Sequence, residues 1–281
     1  MENLESHTVH PVGQRANGER AGLISRKAGL WSLVAITTIL VVVVLLLPRI
    51  PLPQWYHAFA DQRVCLGVPN FWNVVSNLPY AIVGVWGLVF LTQLDSEELS
   101  HHFVSRKERW PYLILFAGLV LIAFGSSYYH MHPDNARLLW DQLPMTIVFM
   151  SLVSALVLER ISLRAGLWLL PVLLLIGGGS VLQWYWSEVH GVGDMRFYAT
   201  VQGYSVLFLF LALLLPPRYT RGRDLIVIAG LYGFAKLLEA LDRVIFRWGG
   251  VVSGHTLKHL VSGVAGYWIL RMLQKRRPIS G

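Results

Sequence analysis

Apolar residues in this chain come in long unbroken runs, not in the alternation of a strand or the narrow stripe of a surface helix. Eight runs follow a polar start, at 28–48, 71–93, 110–130, 135–157, 163–187, 197–215, 224–246 and 255–273. Each is close to the roughly 20 residues that a helix needs to cross a bilayer. In lipid, only a helix or a closed barrel satisfies every backbone N–H and C=O internally. The pattern predicts an all-α integral membrane protein of eight transmembrane helices with no inserted soluble domain. Residues 1–27 are polar and read as a disordered tail. The first run begins too far from the N-terminus, and is too long, for a usual cleaved leader, so it reads as a retained anchor. Residues 49–70 hold Trp55, Tyr56, His57 and Phe59 followed by charge, the composition of an interfacial outer loop. Residues 274–281 read as a basic tail. The GGGS stretch at 177–180 predicts close helix packing or a kink.

Charge sharpens this picture. Only 14% of the 281 residues are charged, against about 25% in a soluble domain. The net charge of +8 does not point to nucleic acid, because Lys and Arg lie mainly between the apolar runs. Arg15, Arg20, Arg26, Lys27, Arg106, Lys107, Arg109, Arg160, Arg164, Arg218, Arg221, Arg223, Lys275, Arg276 and Arg277 all fall on one side if eight runs cross. Arg63, Arg137 and Arg196 are among the few on the other. The asymmetry predicts that both termini are cytoplasmic. Cys65 is the only cysteine, so neither an intramolecular disulfide nor a cysteine-based metal site is available.

Against this background a few ionisable residues stand out, since charge inside a membrane segment is costly and usually functional. HTLKH at 255–259 puts His255 and His259 one turn apart on one helix face. His130 closes the third run, and Asp141 lies two turns into the fourth. With the predicted topology all four fall within roughly 10 Å of the outer ends of their helices. Three imidazoles leave a fourth tetrahedral position open, as in a catalytic zinc site, where the metal lowers the pKa of a water toward about 7. Ser126, one turn before His130, is suited either to donating to an oxyanion or to bonding its own helix carbonyl. Asp141 is suited to orienting a ligand imidazole, to moving protons, or to a structural pair with a lysine or arginine, such as Arg137 one turn earlier. His132 reads as a turn residue, His101 and His102 as solvated, and His57 and His190 as loop residues with no visible partner. Lys236, Glu239, Asp242 and Arg243 are spaced for mutual pairing or for lining a cavity.

FWNVVSNL at 71–78, GSSYYH at 125–130, LLWDQLPM at 138–145 and GHTLKH at 254–259 resemble, in that order, the motifs of the alkaline ceramidases. These are seven-helix intramembrane zinc amidases in a superfamily that includes the progestin and adipoQ receptors. The resemblance covers about residues 55–273. It implies a seven-helix ceramidase-like domain at 71–273, with the helix at 28–48 as an N-terminal addition. It implies His130, His255 and His259 as zinc ligands, Ser126 and Asp141 as catalytic residues beside the metal, and Ser76 and Asn77 near the site. Eukaryotic members carry an acidic calcium-binding loop with a Glu directly before the Phe-Trp-Asn. Here that position is Asn70, and of the acidic cluster only Asp61 remains, so calcium is doubtful; a reduced site would have to use Asp61, Asn70 and main-chain carbonyls. The resulting expectation is a zinc-dependent hydrolase that cleaves a ceramide-like N-acyl lipid to a fatty acid and a sphingoid base. Its setting would be a bacterial plasma membrane, with the site near the outer face. A receptor-like or sensory protein with a structural zinc is the alternative.

Overall fold

The computed structural model describes residues 25–279; most of the polar N-terminal tail and the last two residues lie outside them. Among the described residues the chain is all-helical, with no strand: α1 (Arg26–Leu46), α2 (Phe71–Val75), α3 (Leu78–Gln93), α4 (Ser96–His102), α5 (Arg109–Met131), α6 (Asn135–Arg160), α7 (Leu163–Val189), α8 (Arg196–Leu214), α9 (Asp224–Ala240), α10 (Asp242–Gly249) and α11 (Gly254–Lys275). Six helical stretches are long and apolar enough to cross a membrane, at 27–46, 71–93, 106–131, 135–160, 163–189 and 196–214. This is an integral membrane protein. The last two of the eight expected crossings do not meet that measure, for two physical reasons. The run at 224–246 breaks at Leu241 into α9, of 17 residues, and the amphipathic α10. In α11, His255, Lys258, His259, Arg271 and Lys275 dilute the apolar content.

The run at 71–93 is also broken. Pro79 has no N–H to donate to the carbonyl four residues back, and the helix restarts as α3 with this proline in its first turn. Side chains take over at the break: Asn77 Nδ2 donates to Asn73 O at 2.9 Å and Ser76 Oγ to the same carbonyl at 3.2 Å. The break turns Ser76 toward the bundle interior, where it is needed below.

Packing is sequential, α3 on α5, α5 on α6, α6 on α7, with α11 against α9 and α3, while α1 rests mainly on α8. Thr37 Oγ1 and Tyr204 OH, 2.8 Å apart, join α1 to α8. The core centres on Leu91, Leu115, Phe116, Leu156, Leu270 and Leu273. In the GGGS stretch helix α7 is continuous, so close packing is the outcome and not a kink. A side chain at Gly177 would meet Met150 Cγ at 2.8 Å and Thr146 Cβ at 3.0 Å on α6. At the far end of α11, buried Arg276 pairs with Glu159 and lies over the rings of Tyr219 (4.1 Å) and Phe103 (4.5 Å). That clasp anchors one end of α11, and its histidines lie at the other.

Candidate metal centre

The site forms where α5 ends, α6 and α11 begin, and α2 breaks into α3. Ser253 caps α11, accepting from Thr256 N at 3.1 Å, so the helix starts one residue before His255. Asp242, the first residue of α10, accepts from His255 N at 2.8 Å and from Ala60 N at 2.9 Å, which ties the ligand helix to the loop at 49–70. From that loop, Phe59 packs its ring against His130 (4.6 Å) and His255 (4.4 Å) and seals the site from one side.

The three histidines converge. All are buried, and their rings form a nearly equilateral set, with centroids 4.9, 5.0 and 4.8 Å apart. One ring nitrogen from each lies within 4.8 Å of the others. The Nε2 atoms of His130 and His255 are 3.3 Å apart. Two nitrogens about 2.0–2.1 Å from a tetrahedral metal stand roughly 3.3–3.4 Å from each other, so this spacing fits a shared ion. His259 presents Nε2 inward because Nδ1 is engaged by Ser76 Oγ at 2.8 Å, an outer partner that fixes ring and tautomer. Three neutral nitrogens suit zinc and other imidazole-preferring metals.

The predicted neighbours are placed as follows. Asp141 is buried in the second turn of α6 and faces Ser126, with the charges of Lys258 and Glu239 close by. Arg137 is not its partner: it pairs with Asp134, the α6 cap. A close helix crossing brings Asp141 to Ser126. Pro144 leaves Trp140 O without its helical donor, and that carbonyl packs so near Gly125 that a Cβ there would lie 2.0 Å from it. His57 does have partners, Tyr129 OH at 2.9 Å and Asn135 Oδ1 at 2.7 Å. Its role is to join the outer loop to α5 and α6. Glu239 pairs with both Lys236 and Lys258, and Asp242 takes the backbone bonds already described.

Some contributors were not signalled by the apolar pattern. Asn73 receives Thr256 Oγ1 at 2.9 Å and donates to Asp61 O at 3.3 Å. Asn70, in the left-handed region at φ 48°, which asparagine tolerates, donates to His130 O at 2.8 Å. Asp61 is engaged as well. Arg63 reaches both its oxygens, at 2.8 and 2.6 Å, and also donates to Val251 O at 2.6 Å. Burial alone would raise the Asp61 carboxyl, but the hydrogen bonds and charge of Arg63 outweigh it and hold the group below the usual range. Of the two side chains named for a reduced calcium site, Asp61 has both oxygens engaged by Arg63, while Asn70 is bonded through its Nδ2.

A cavity of about 180 Å³ adjoins the centre, lined by Tyr80, whose ring lies 6.3 Å from that of His259, and by Lys258. A family model described as Ceramidase matches residues 63–215, more than half of the chain. The chain belongs to the ceramidase family. The match takes in Asn70–Asn77, Ser126, His130 and Asp141, and the fold brings His255 and His259, which lie beyond it, next to His130. No curated protein matches the chain.

Proposed function

We propose that this ceramidase-family protein is a zinc-dependent lipid amide hydrolase, with His130, His255 and His259 as the metal ligands. One observation carries the reading: three buried imidazoles with nitrogens within 4.8 Å of one another beside a cavity that is apolar along most of its length. When bound there, zinc would supply a Lewis acid that polarises a carbonyl and makes a water acidic near neutral pH. The chain's own groups divide the remaining work. Ser76 holds His259 in the tautomer that leaves Nε2 bare. Ser126 donates its hydroxyl proton to the carbonyl oxygen as negative charge develops there. Asp141, facing Ser126, accepts the proton of the attacking water and passes it to the amide nitrogen as the C–N bond breaks, so that a fatty acid and an amine leave. Phe59 limits bulk water. The apolar cavity holds a chain of the lipid.

The eight runs are proposed to cross the membrane with both termini in the cytoplasm. This places the centre near the outer face of what we take to be a bacterial plasma membrane. The test is mass spectrometry of lipids after incubation of pure protein with ceramide, with and without a chelator. Fatty acid and sphingoid base should form, and a His259→Ala variant should form neither. Stoichiometric zinc with no lipid amide cleaved across a substrate panel would instead favour a receptor-like protein with a structural metal.

A further inference from the structure

We infer that the hairpin at 63–68 and α10 form one interfacial surface, seated in the boundary between lipid head groups and chains, that holds the metal centre at the depth of the substrate's amide. Its consequence for catalysis rests on the hydrolase reading; the seating does not. Two lipid-facing stripes run up to this surface. Phe234, Leu237, Leu241, Val244 and Trp248 are all exposed and follow one another at intervals of three or four residues, along one helix face. The face carries through the break after α9, because Leu241 N donates to Leu237 O and Ile245 N to Leu241 O, both at 3.0 Å, as in an unbroken helix. The 17 residues of α9 rise roughly 26 Å, close to the roughly 30 Å of a hydrocarbon core, so α10 starts near the edge of that core. Exposed Arg243 and Arg247 border the Val244–Trp248 side, the mixture of aromatic and cationic groups that suits head groups. On the other flank, Trp72, Val75, Leu78, Ile82 and Val85 make a second exposed stripe along α2 and α3. The chain just before it turns in the hairpin, where Val64 and Leu66 are exposed as well.

The hairpin is built for an apolar surrounding. Cys65 N donates to Val68 O at 3.2 Å and Val68 N to Cys65 O at 2.9 Å, which closes a two-residue turn over Leu66 and Gly67. Both turn residues have positive φ, 52° and 77°, the conformation that Asn-Gly fills in ordinary hairpins. Here a leucine takes the first position against its steric preference, and it is 89% exposed. Strain at the tip and an apolar side chain held away from the fold have one explanation when the tip lies in lipid. Arg63 joins the hairpin to α10. Its Nη1 donates to Gly250 O at 3.2 Å and its Nη2 to Val251 O at 2.6 Å, and its guanidinium lies 5.2 Å from the centre of the Phe246 ring. The same segment reaches the metal centre on either side of the hairpin: Asn70 donates to His130 O, and Phe59 packs on His130 and His255. A depth set by the hairpin and α10 is therefore the depth of the histidines. An N-acyl lipid carries its amide at the same boundary, between polar head and chains. The seating brings carbonyl and metal centre level without lifting the lipid out of its leaflet.

Cys65, exposed in the hairpin and the chain's only cysteine, takes a bimane label with no change of sequence. Full-length protein is placed in phosphatidylcholine vesicles. Quenching by a lipid that carries a nitroxide near the head of its chain is compared with quenching by iodide present on both faces. Lipid quenching should dominate. Iodide access should be regained in a Leu66→Asn, Trp248→Gln double variant, which keeps its fold because asparagine suits the turn and the two side chains are 89% and 88% exposed. A label open to iodide and untouched by the lipid nitroxide overturns the inference. So does a label shielded from both, which marks a protein partner such as a second copy. Turnover of ceramide in vesicles should fall by about tenfold or more in the double variant, the worth of one large apolar side chain leaving an apolar surrounding. On ceramide in detergent micelles it should stay at the parent level. Equal loss in both media, or none, overturns the positioning of the centre. If the parent cleaves ceramide in neither medium, the hydrolase reading falls, and quenching alone decides the seating.

Discussion

Replacing Ser76 with alanine separates metal binding from folding. Ser76 Oγ accepts from His259 Nδ1 at 2.8 Å and donates to Asn73 O at 3.2 Å, and the two residues are only 4% and 3% exposed. The substitution removes one oxygen. Asn73 O keeps the Nδ2 of Asn77 at 2.9 Å, so the break between α2 and α3 remains satisfied. The cost falls on His259. A metal on Nε2 forces the ring proton onto Nδ1, and a buried N–H without an acceptor costs about 1–3 kcal/mol. That equals about fivefold to 150-fold in an equilibrium constant, in line with the roughly 10–100-fold cost of losing an outer partner of a ligand histidine. The metal-free protein is not bound to that tautomer and loses less. Competition against a chromophoric chelator should show zinc bound about 10–100-fold more weakly by Ser76→Ala, with little change in the thermal midpoint of the metal-free form. Equal zinc affinity in variant and parent would refute the assignment of Nε2 as the ligand atom.

Asp141→Asn should retain zinc while hydrolysis falls by about a hundredfold to ten-thousandfold, the usual weight of a general acid–base; retention of full turnover would remove Asp141 from the proton path. Gly125→Ala puts a Cβ 2.0 Å from Trp140 O, which belongs to backbone and cannot swing away. It should destabilise the protein by about 1–3 kcal/mol, as overpacking does, and lower activity by moving α5 from α6, both read from a thermal melt and a ceramide assay. For Asp61, the folded carboxyl titrates below its unfolded value of about 3.9. Its contribution is therefore full above about pH 4 and is lost as pH falls through the folded pKa. The gap in unfolding midpoint between parent and Asp61→Asn should be wide at neutral pH and close in acid, and a gap that persists in acid would count against the Arg63 pairing.

Much of the architecture was legible because hydropathy alone locates helices in lipid: the runs at 110–130, 135–157 and 163–187 lie within a few residues of α5, α6 and α7. The breaks at Ser76–Asn77 and Leu241 were not, since an apolar run continues through both. They depend on a proline without an N–H and on the amphipathic turn that follows α9. Convergence of the histidines was legible from helical spacing and shared depth. Their supporting partners were not, because Phe59, Asn70, Asn73 and Asp242 act through a loop and helix ends whose placement no local periodicity encodes. Arg137 illustrates the limit: its spacing suits Asp141, yet Asp134, needed as the α6 cap, lies equally near and takes it. Lys258 lies inside HTLKH, but its pairing with Glu239 from α9 is not encoded by any local spacing.

The central claim is that three histidines from two helices hold one zinc ion. Zinc-edge X-ray absorption on the purified full-length protein tests it most directly. The account predicts one zinc per chain with nitrogen and oxygen ligands at about 2.0–2.1 Å and the outer scattering of imidazole rings, lost in His130→Ala, His255→Ala and His259→Ala. Folded protein that binds no stoichiometric zinc, or zinc whose spectrum is unchanged by these substitutions, would contradict it.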